Sequence, residues 1–275
     1  MRTRCITTGM VAMAAMAAIG CEPAKPAAAP QRAVDAPANS PAAATATTAA
    51  STTPAPAPAP AALPASVDLR PTLQRLGLGP RAQGPRGTCS IFTTCAAIEF
   101  ALAKASGHAR RLSPEYLNWA AGRAAGRPSD GNFFHNALAG FQRDGLCAEA
   151  AMPYAIPYDA ARAPSPQARE EALDVLAQSQ REIAVRWIVP WAAGKQGVDP
   201  EQFLEIKRVL ASGSPVAAGS AHSRLLVGYR DDAAAAGGGV FLTEDSALAR
   251  FDEVTYEFVR AQVNDAFWVE PLARP

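Results

Sequence analysis

A stretch rich in alanine and proline, from Glu22 to Pro64, limits which part of this chain can fold. Of its 43 residues, 18 are Ala, 10 are Pro and none is aromatic. Without large apolar side chains, such a segment cannot offset the conformational entropy that folding removes. We therefore predict a disordered linker over residues 21–64 and a single folded domain over residues 65–275, which is long enough to bury a core.

Hydrophobic periodicity divides the predicted domain into a helical first half and a second half composed mostly of strands. Helices are predicted over Cys89–Lys104, from a cap at Ser113 to about Ala121, over Phe133–Asp144, over Gln167–Ile183, and from a cap at Asp199 to about Ala211. Strands are predicted over Val185–Val189, Pro215–Ala218, Ser223–Tyr229, Gly239–Thr243 and Ala266–Glu270. In the helix over 167–183, Leu173, Leu176 and Ile183 are expected to form the apolar side of an amphipathic helix packed on the surface of the domain. Helices followed by strands indicate an α+β fold.

Cys89 follows a loop punctuated by glycines and begins the first predicted helix. A thiol at a helix N-terminus lies at the positive end of the helix dipole, which favours the nucleophilic thiolate. Gln83, six residues earlier, supplies a side-chain amide donor, and His222 and Asp245 lie far downstream. Cysteine, then histidine, then a carboxylate or amide is the chain order of one large class of cysteine proteases.

An ordered set of motifs across roughly residues 64–270 resembles the papain-like cysteine peptidases, in particular those of bacteria. The set comprises Gln83…Cys89, Leu112-Ser113-Pro114-Glu115, Asp130-Gly131-Asn132, Gly145…Pro153-Tyr154, His222…Val227-Gly228-Tyr229 and Asp245-Ser246. The resemblance implies a papain-like two-lobed α+β fold. Its N-terminal lobe would be helical, its C-terminal lobe an antiparallel β-sheet or barrel, and the active cleft would lie between them. It also implies a peptide or protein substrate, no cofactor and no metal.

The resemblance assigns roles to residues around this cleft. Cys89 would attack the peptide carbonyl, and His222 would stabilise the thiolate and then protonate the leaving amine. Asp245 would orient the imidazole, while Gln83 and the backbone N–H of Cys89 would stabilise the oxyanion. The positions expected to contact substrate are Gly131, Asn132, Phe134 and Ser223.

Several positions depart from the usual papain-like pattern. Ser90 replaces a Trp, Asp245 replaces an Asn, and Ala247 replaces a second Trp. Arg224 occupies a position that is usually apolar, so it must reach the cleft or find a buried partner. These departures favour an alternative in which the chain is an inactive papain-fold module that binds peptides or proteins. A cell-wall peptidase of the other lipid-anchored Cys–His type is a third hypothesis, but its His usually follows the Cys by far fewer than the 133 residues found here.

The N-terminus resembles a bacterial lipoprotein signal. Arg2 and Arg4 precede an apolar stretch, Met10 to Ile19, that is too short to span a bilayer. It ends in Ala18-Ile19-Gly20-Cys21, where cleavage would remove residues 1–20 and leave a lipidated Cys21 as the new N-terminus. The expected location is then the periplasmic side of the bacterial cell envelope, at the outer membrane. If this lipobox is not used, ordinary signal cleavage would give a secreted protein.

Three further cysteines lie in the predicted domain: Cys89, Cys95 and Cys147. If Cys89 is the free nucleophile, the other two form an even remainder. In an oxidising compartment, Cys95 and Cys147 would either form a disulfide or remain as buried thiols that pack like small hydrophobic residues. The sequence leaves both alternatives open.

The charge balance limits the partners of the protein. The chain has 26 Lys and Arg residues and 25 Asp and Glu residues, for a formal net charge of +1. Nucleic-acid-binding domains usually carry a clear excess of basic residues, so we do not expect a nucleic acid as a partner. The expected partners are a peptide or protein substrate and a membrane reached through Cys21. The protein is expected to be a monomer.

Overall fold

The computed structural model describes residues 62–272. The predicted signal peptide, Cys21 and almost all of the predicted linker lie outside the described residues. The helices are α1 (Arg70–Arg75), α2 (Cys89–Ser106), α3 (Pro114–Ala124), α4 (Phe134–Asp144), α5 (Pro166–Glu182), α6 (Pro200–Ala211) and α7 (Tyr256–Gln262). The strands are β1 (Ser66–Asp68), β2 (Ile183–Val189), β3 (Val216–Gly219), β4 (Arg224–Asp231), β5 (Gly239–Asp245), β6 (Arg250–Thr255) and β7 (Asp265–Pro271).

Every predicted helix and strand is present, and the α+β prediction is confirmed. Local capping chemistry explains why the helix starts were predictable. The Ser113 side chain accepts a hydrogen bond from the N–H of Tyr116 at the start of α3, and Asp199 and Gln202 form a capping box at the start of α6. Four elements were not predicted: β1, α1, β6 and α7.

The strands form one antiparallel sheet in the order β2-β7-β3-β4-β5-β6, with β1 added to β4. The first half of β4 pairs with β3, and its second half pairs with β1 along the same edge. Gly228 is required at this second half because a Cβ there would lie 2.2 Å from the carbonyl oxygen of Val67. This contact gives the glycine of the Val227-Gly228-Tyr229 motif a structural role.

Helix α2 is the central element of the helical lobe and contacts α3, α4 and α5 as well as the sheet. Among the described helices it alone is long and apolar enough to cross a membrane, but 78% of the relevant stretch is buried inside the protein. It is therefore the core helix of the domain. Because α2 packs on both lobes, its first residue lies at their junction.

The buried face of α5 differs from the predicted one. The residues that face the core are Ala168, Ala172, Val175 and Ser179. The expectation for Leu173 was wrong, since its side chain is 55% exposed. The physical reason is a close backbone approach: a Cβ on Gly145, at the end of α4, would lie 2.1 Å from the carbonyl oxygen of Ala172. Helix α5 therefore packs closest at Ala172, and Leu173, the next residue along the helix, faces solvent.

Candidate active site

Cys89 is the first residue of α2, and Thr88 is the N-cap. The loop before it is held by backbone packing, because a Cβ on Gly131 would lie 1.9 Å from the carbonyl oxygen of Gly87. Gly131 also has a φ of +87°, which favours glycine. The N–H groups in the first turn of a helix have no acceptor within the helix, so the backbone N–H of Cys89 is available to an oxyanion.

His222 and Asp245 come from two neighbouring strands of the sheet. His222 lies just before β4, and Asp245 is the last residue of β5. The imidazole Nε2 and the Asp245 Oδ1 are 2.9 Å apart, which leaves the imidazole Nδ1 for another partner. Asp245 is only 1% exposed, and its Oδ1 also accepts hydrogen bonds from the backbone N–H groups of Ala247 and Leu248. The structure thus fixes the orientation of both side chains.

Cys89 and His222 form a polarised pair. Burial alone would raise the pKa of Cys89, but hydrogen bonds from His222 and from the Ser223 backbone lower this pKa below its usual value. The Ser223 N–H lies 3.5 Å from the Cys89 Sγ. The hydrogen bond with Cys89 raises the pKa of His222, and Asp245 adds to that effect. Opposite shifts of the two pKa values favour a thiolate–imidazolium pair.

The carboxylate of Asp245 stays ionised despite its burial. Burial raises the pKa of this group, but the hydrogen bond with His222 and the charges of His222 and Arg224 outweigh it, so the pKa falls below its usual value. The Arg224 Nε donates to the Asp245 Oδ2 at 3.0 Å. Arg224, which the sequence left with two possible environments, therefore has a buried partner, and that partner belongs to the candidate site.

Gln83 connects the loop before Cys89 to the end of β5. Its backbone N–H donates to the carbonyl of Ser246 at 3.0 Å, and its side-chain Oε1 accepts from the Ser246 hydroxyl at 2.7 Å. The Nε2 donates to the carbonyl of Arg86 at 2.7 Å. An amide nitrogen carries two hydrogens, so the predicted role of Gln83 as an oxyanion donor requires the second one.

Three of the four predicted substrate-contacting residues line one cavity with Cys89. They are Asn132, Phe134 and Ser223. Gly131 is adjacent to Asn132 and contacts Gly87 instead, as described above. Ser90, which replaces the usual Trp, donates its hydroxyl to the carbonyl of Asn132. This substitution therefore ties α2 to the cavity wall.

Among the lining residues that sequence reasoning missed are Trp191 and Asp265. Trp191 packs on the exposed Phe133 and on His135, with ring centroids about 5.6 Å apart. The Asp265 carboxylate makes no hydrogen bond or ion pair within residues 62–272, and burial raises its pKa to about 6. A carboxylate without a partner attracts a cation or a hydrogen-bond donor. The only signal for Asp265 in the sequence was a charged residue at the start of an apolar strand.

Cys95 and Cys147 are free, buried thiols within the described residues. The disulfide alternative is thus not the arrangement in the structure. Burial raises the pKa of both thiols, that of Cys147 to about 12. Protonated, buried thiols are unreactive, so Cys89 is distinguished from both by chemistry as well as by position.

Size alone would not have identified the candidate site. Cavities of about 350 and 470 Å³ lie elsewhere, against about 150 Å³ beside Cys89. The first is lined by Trp119 and several arginines, and the second by Phe203, Lys207 and Tyr256. Within residues 62–272, no group of three or more His, Cys, Asp or Glu side chains could hold a metal ion.

Solved structures with a similar fold are cysteine proteases or their proforms. Xylellain, a cysteine protease from Xylella fastidiosa, has a TM-score of 0.59 at 18% identity, over 77% of this chain and 88% of that one. Digestive procathepsin L 3 of Tenebrio molitor larval midgut has a TM-score of 0.56 at 18% identity, over 78% and 71% of the two chains. The proform of Amb a 11, the ragweed pollen cysteine protease, has a TM-score of 0.55 at 19% identity, over 78% and 66%.

Comparisons by sequence give no further relative. No protein-family model matches this chain, and no curated protein matches it. At identities of 18–19%, the structural neighbours establish the fold alone. The chain has a papain-like α+β fold, with Cys89 on the helical side of the junction and His222 and Asp245 on the sheet side.

Proposed function

We propose that this chain is a cysteine-type peptidase that hydrolyses peptide bonds through an acyl-enzyme intermediate. The Cys89 thiolate attacks the substrate carbonyl, and His222 protonates the leaving amine and then activates the water that hydrolyses the thioester. Asp245 holds the imidazole by its Nε2, and Gln83 and the backbone N–H of Cys89 stabilise the oxyanion. The substrate is a peptide or protein that occupies the cavity beside Cys89.

One observation carries this proposal. Cys89 and His222 are 133 residues apart in the chain, yet they meet at the junction of the two lobes with opposite pKa shifts. A structural cysteine has no need of a hydrogen-bonded histidine, and among the described residues no histidine acts on the buried thiols of Cys95 and Cys147. The paired shifts are those that a thiol nucleophile and its base require.

Covalent labelling tests the proposal. The purified full chain is treated at pH 7 with an epoxysuccinyl inhibitor of thiol proteases, and the adduct is mapped by mass spectrometry. We expect a single adduct on Cys89 that is lost in His222→Ala, together with cleavage of unfolded protein substrates. Cys95 and Cys147 serve as internal controls and should remain unmodified. Equal labelling of Cys89 with and without His222, or no cleavage despite labelling, would favour the inactive binding module.

We also propose that the enzyme is anchored to the bacterial cell envelope through a lipid on Cys21. The support is the Ala18-Ile19-Gly20-Cys21 sequence after a short apolar stretch. Expression of the full chain in a Gram-negative host tests this proposal. Cys21→Ser should move the protein from the membrane fraction to the soluble fraction, whereas Cys5→Ser, the matched control in the signal region, should not. An unchanged distribution in Cys21→Ser would rule the anchor out.

A further inference from the structure

We propose that Arg224 is a positioning residue that cancels the charge of Asp245, so that the Arg224–Asp245 pair replaces the neutral asparagine that is usual in the papain-like pattern. This inference rests on the proposed function. It explains two departures from the pattern with one interaction, since Asp245 stands where the pattern has an amide and Arg224 where it has an apolar residue.

The geometry divides the two oxygens of Asp245 between two cations. Oδ1 faces the imidazole Nε2 at 2.9 Å, and Oδ2 accepts from the Arg224 Nε at 3.0 Å. The Arg224 Nη1 also donates to the backbone carbonyl of His222, at 3.3 Å. The guanidinium therefore contacts both ends of the His222–Asp245 pair and limits how either can move.

Arg224 also covers the site that lacks the usual aromatic residue. Its guanidinium lies over the ring of Phe258, with the central carbon 5.7 Å from the ring centroid. The Asp245 side chain behind it is 1% exposed, and that of Arg224 is 22% exposed. The Asp245 carboxylate is therefore buried beside a cation that rests on an aromatic ring.

The charges around His222 predict how substitutions combine. The charged or titratable groups that face it are Cys89 on α2, Arg224 on β4 and Asp245 on β5. Asp265 on β7 lines the same cavity as Cys89. A carboxylate favours the imidazolium, and a guanidinium beside that carboxylate opposes the effect. Removal of either charge alone should shift the pKa of His222, and removal of both should return this pKa close to the parent value.

An NMR titration of the His222 imidazole in the full chain tests this prediction. The measurements use a Cys89→Ser background, in which the His222 titration is not coupled to a thiol. His108 and His135 supply the other histidine signals, and His222→Ala assigns the third. Relative to the parent, Arg224→Leu should raise the pKa of His222 by about one unit and Asp245→Asn should lower it by about one unit. The double variant should return to within a few tenths of a unit.

Matched variants separate a local charge effect from a general one. Arg250, opposite Asp245 on β6, is exposed, and its side chain makes no hydrogen bond or ion pair within the described residues. Arg250→Leu removes the same charge and should leave the titration of His222 unchanged. Arg224→Lys keeps the charge and should behave as the parent does. If Arg224→Leu does not fold, the rise in pKa from Asp245→Asn to the double variant decides the question.

Two results would overturn the inference. One is a pKa of His222 that does not respond to Arg224→Leu, whether residue 245 is the native aspartate or carries the Asp245→Asn substitution. The other is a double variant whose pKa equals that of Asp245→Asn. Because this readout needs neither a nucleophile nor turnover, it stands apart from the labelling experiment. If Cys89 is not labelled but His222 titrates as expected, the peptidase proposal is rejected and the Arg224–Asp245 charge pair is retained.

Discussion

The helical lobe and the sheet lobe, here called the helical wall and the sheet wall, each contain a small charge cluster, and the clusters have opposite compositions. On the helical wall, the Arg86 guanidinium bonds two carboxylates, with Nη1 2.5 Å from Glu115 and Nε 2.8 Å from Asp130. On the sheet wall, the Asp245 carboxylate bonds two bases, His222 and Arg224. The helical wall thus has one cation between two anions, and the sheet wall has one anion between two bases.

The helical cluster connects segments of the protein, whereas the sheet cluster contains a histidine that can gain or lose a proton. Arg86 also lies over the Tyr154 ring at 4.5 Å and donates to the Ala155 carbonyl, so it joins three segments of the helical wall. In the sheet cluster, the charge of His222 changes near neutral pH, which is the property that acid–base chemistry requires.

The largest expected effect comes from a substitution that breaks the helical cluster. Arg86→Met should lower the free energy of unfolding by about 3–5 kcal/mol, because it leaves the Glu115 carboxylate buried without a counter-ion. Urea unfolding at pH 7 measures this change. Addition of Glu115→Gln should recover part of the loss by removing the unpaired charge. A variant as stable as the parent would mean that the cluster is not structural.

The next effect comes from breaking the sheet cluster. Asp245→Ala should lower kcat/KM by about 10²–10³-fold, roughly 2.7–4 kcal/mol, because the imidazole loses its orientation. Asp245→Asn should retain much of the activity, since an amide oxygen also accepts from Nε2. Its alkaline pH–rate limb should lie lower than in the parent, because the carboxylate favours the imidazolium. If neither variant changes kcat/KM, Asp245 does not act on His222, and Cys89 and His222 work as a dyad.

A third prediction concerns Asp265, a buried carboxylate on the sheet wall that, among the described residues, is paired with neither a histidine nor an arginine. Burial raises its folded pKa to about 6 from an ordinary 3.8, so the folded state binds its proton more tightly than the unfolded state does. The contribution to stability is complete below pH 4 and is lost as the pH rises through about 6. Asp265→Asn should therefore stabilise the protein at pH 7.5 by up to about 2 kcal/mol and have no effect near pH 4.

Urea unfolding at the two pH values checks this expectation. Asp174→Asn, which removes an exposed carboxylate on α5, is the control for the loss of one surface charge. If Asp265→Asn has the same effect at both pH values, the carboxylate has a counter-ion, and the contrast with Asp245 would disappear.

The smallest expected effect comes from an exposed cluster with the same composition as the helical one, which tests whether burial matters. Arg208 on α6 repeats the composition of the helical cluster, with Glu201 at 2.6 Å and Glu205 at 3.2 Å, but on the exposed surface. Arg208→Met should produce no resolvable change in urea unfolding, because water screens all three charges. A loss as large as that of Arg86→Met would show that the arrangement of charges, and not their burial, determines stability.

Local signals made much of the fold predictable. Ser113-Pro114 and Asp199-Pro200 mark helix starts through caps that involve only neighbouring residues. Strand β1 escaped because its partner β4 lies far away in the chain. Strand β6 pairs with the neighbouring β5, but none of its residues is buried, so it lacks the apolar alternation that marks a strand. Helices α1 and α7, of six and seven residues, are too short for a periodic signal. The buried face of α5 escaped because the close approach of Gly145 to Ala172 helps to set which side of the helix meets the core, and Gly145 is remote in sequence.

The sequence by itself determined the α+β class and named Cys89, His222, Gln83 and Asp245 as candidates, because helix caps, apolar periodicity and the order of chemical groups are all readable along one chain. Only the tertiary structure decided what surrounds them. In that structure Arg224 bonds Asp245, and Asp265 has no partner among the described residues. Cys95 and Cys147 remain free thiols. Each of these depends on burial and on charges within a few ångströms, and such distances are set by the packing of segments that are remote in sequence.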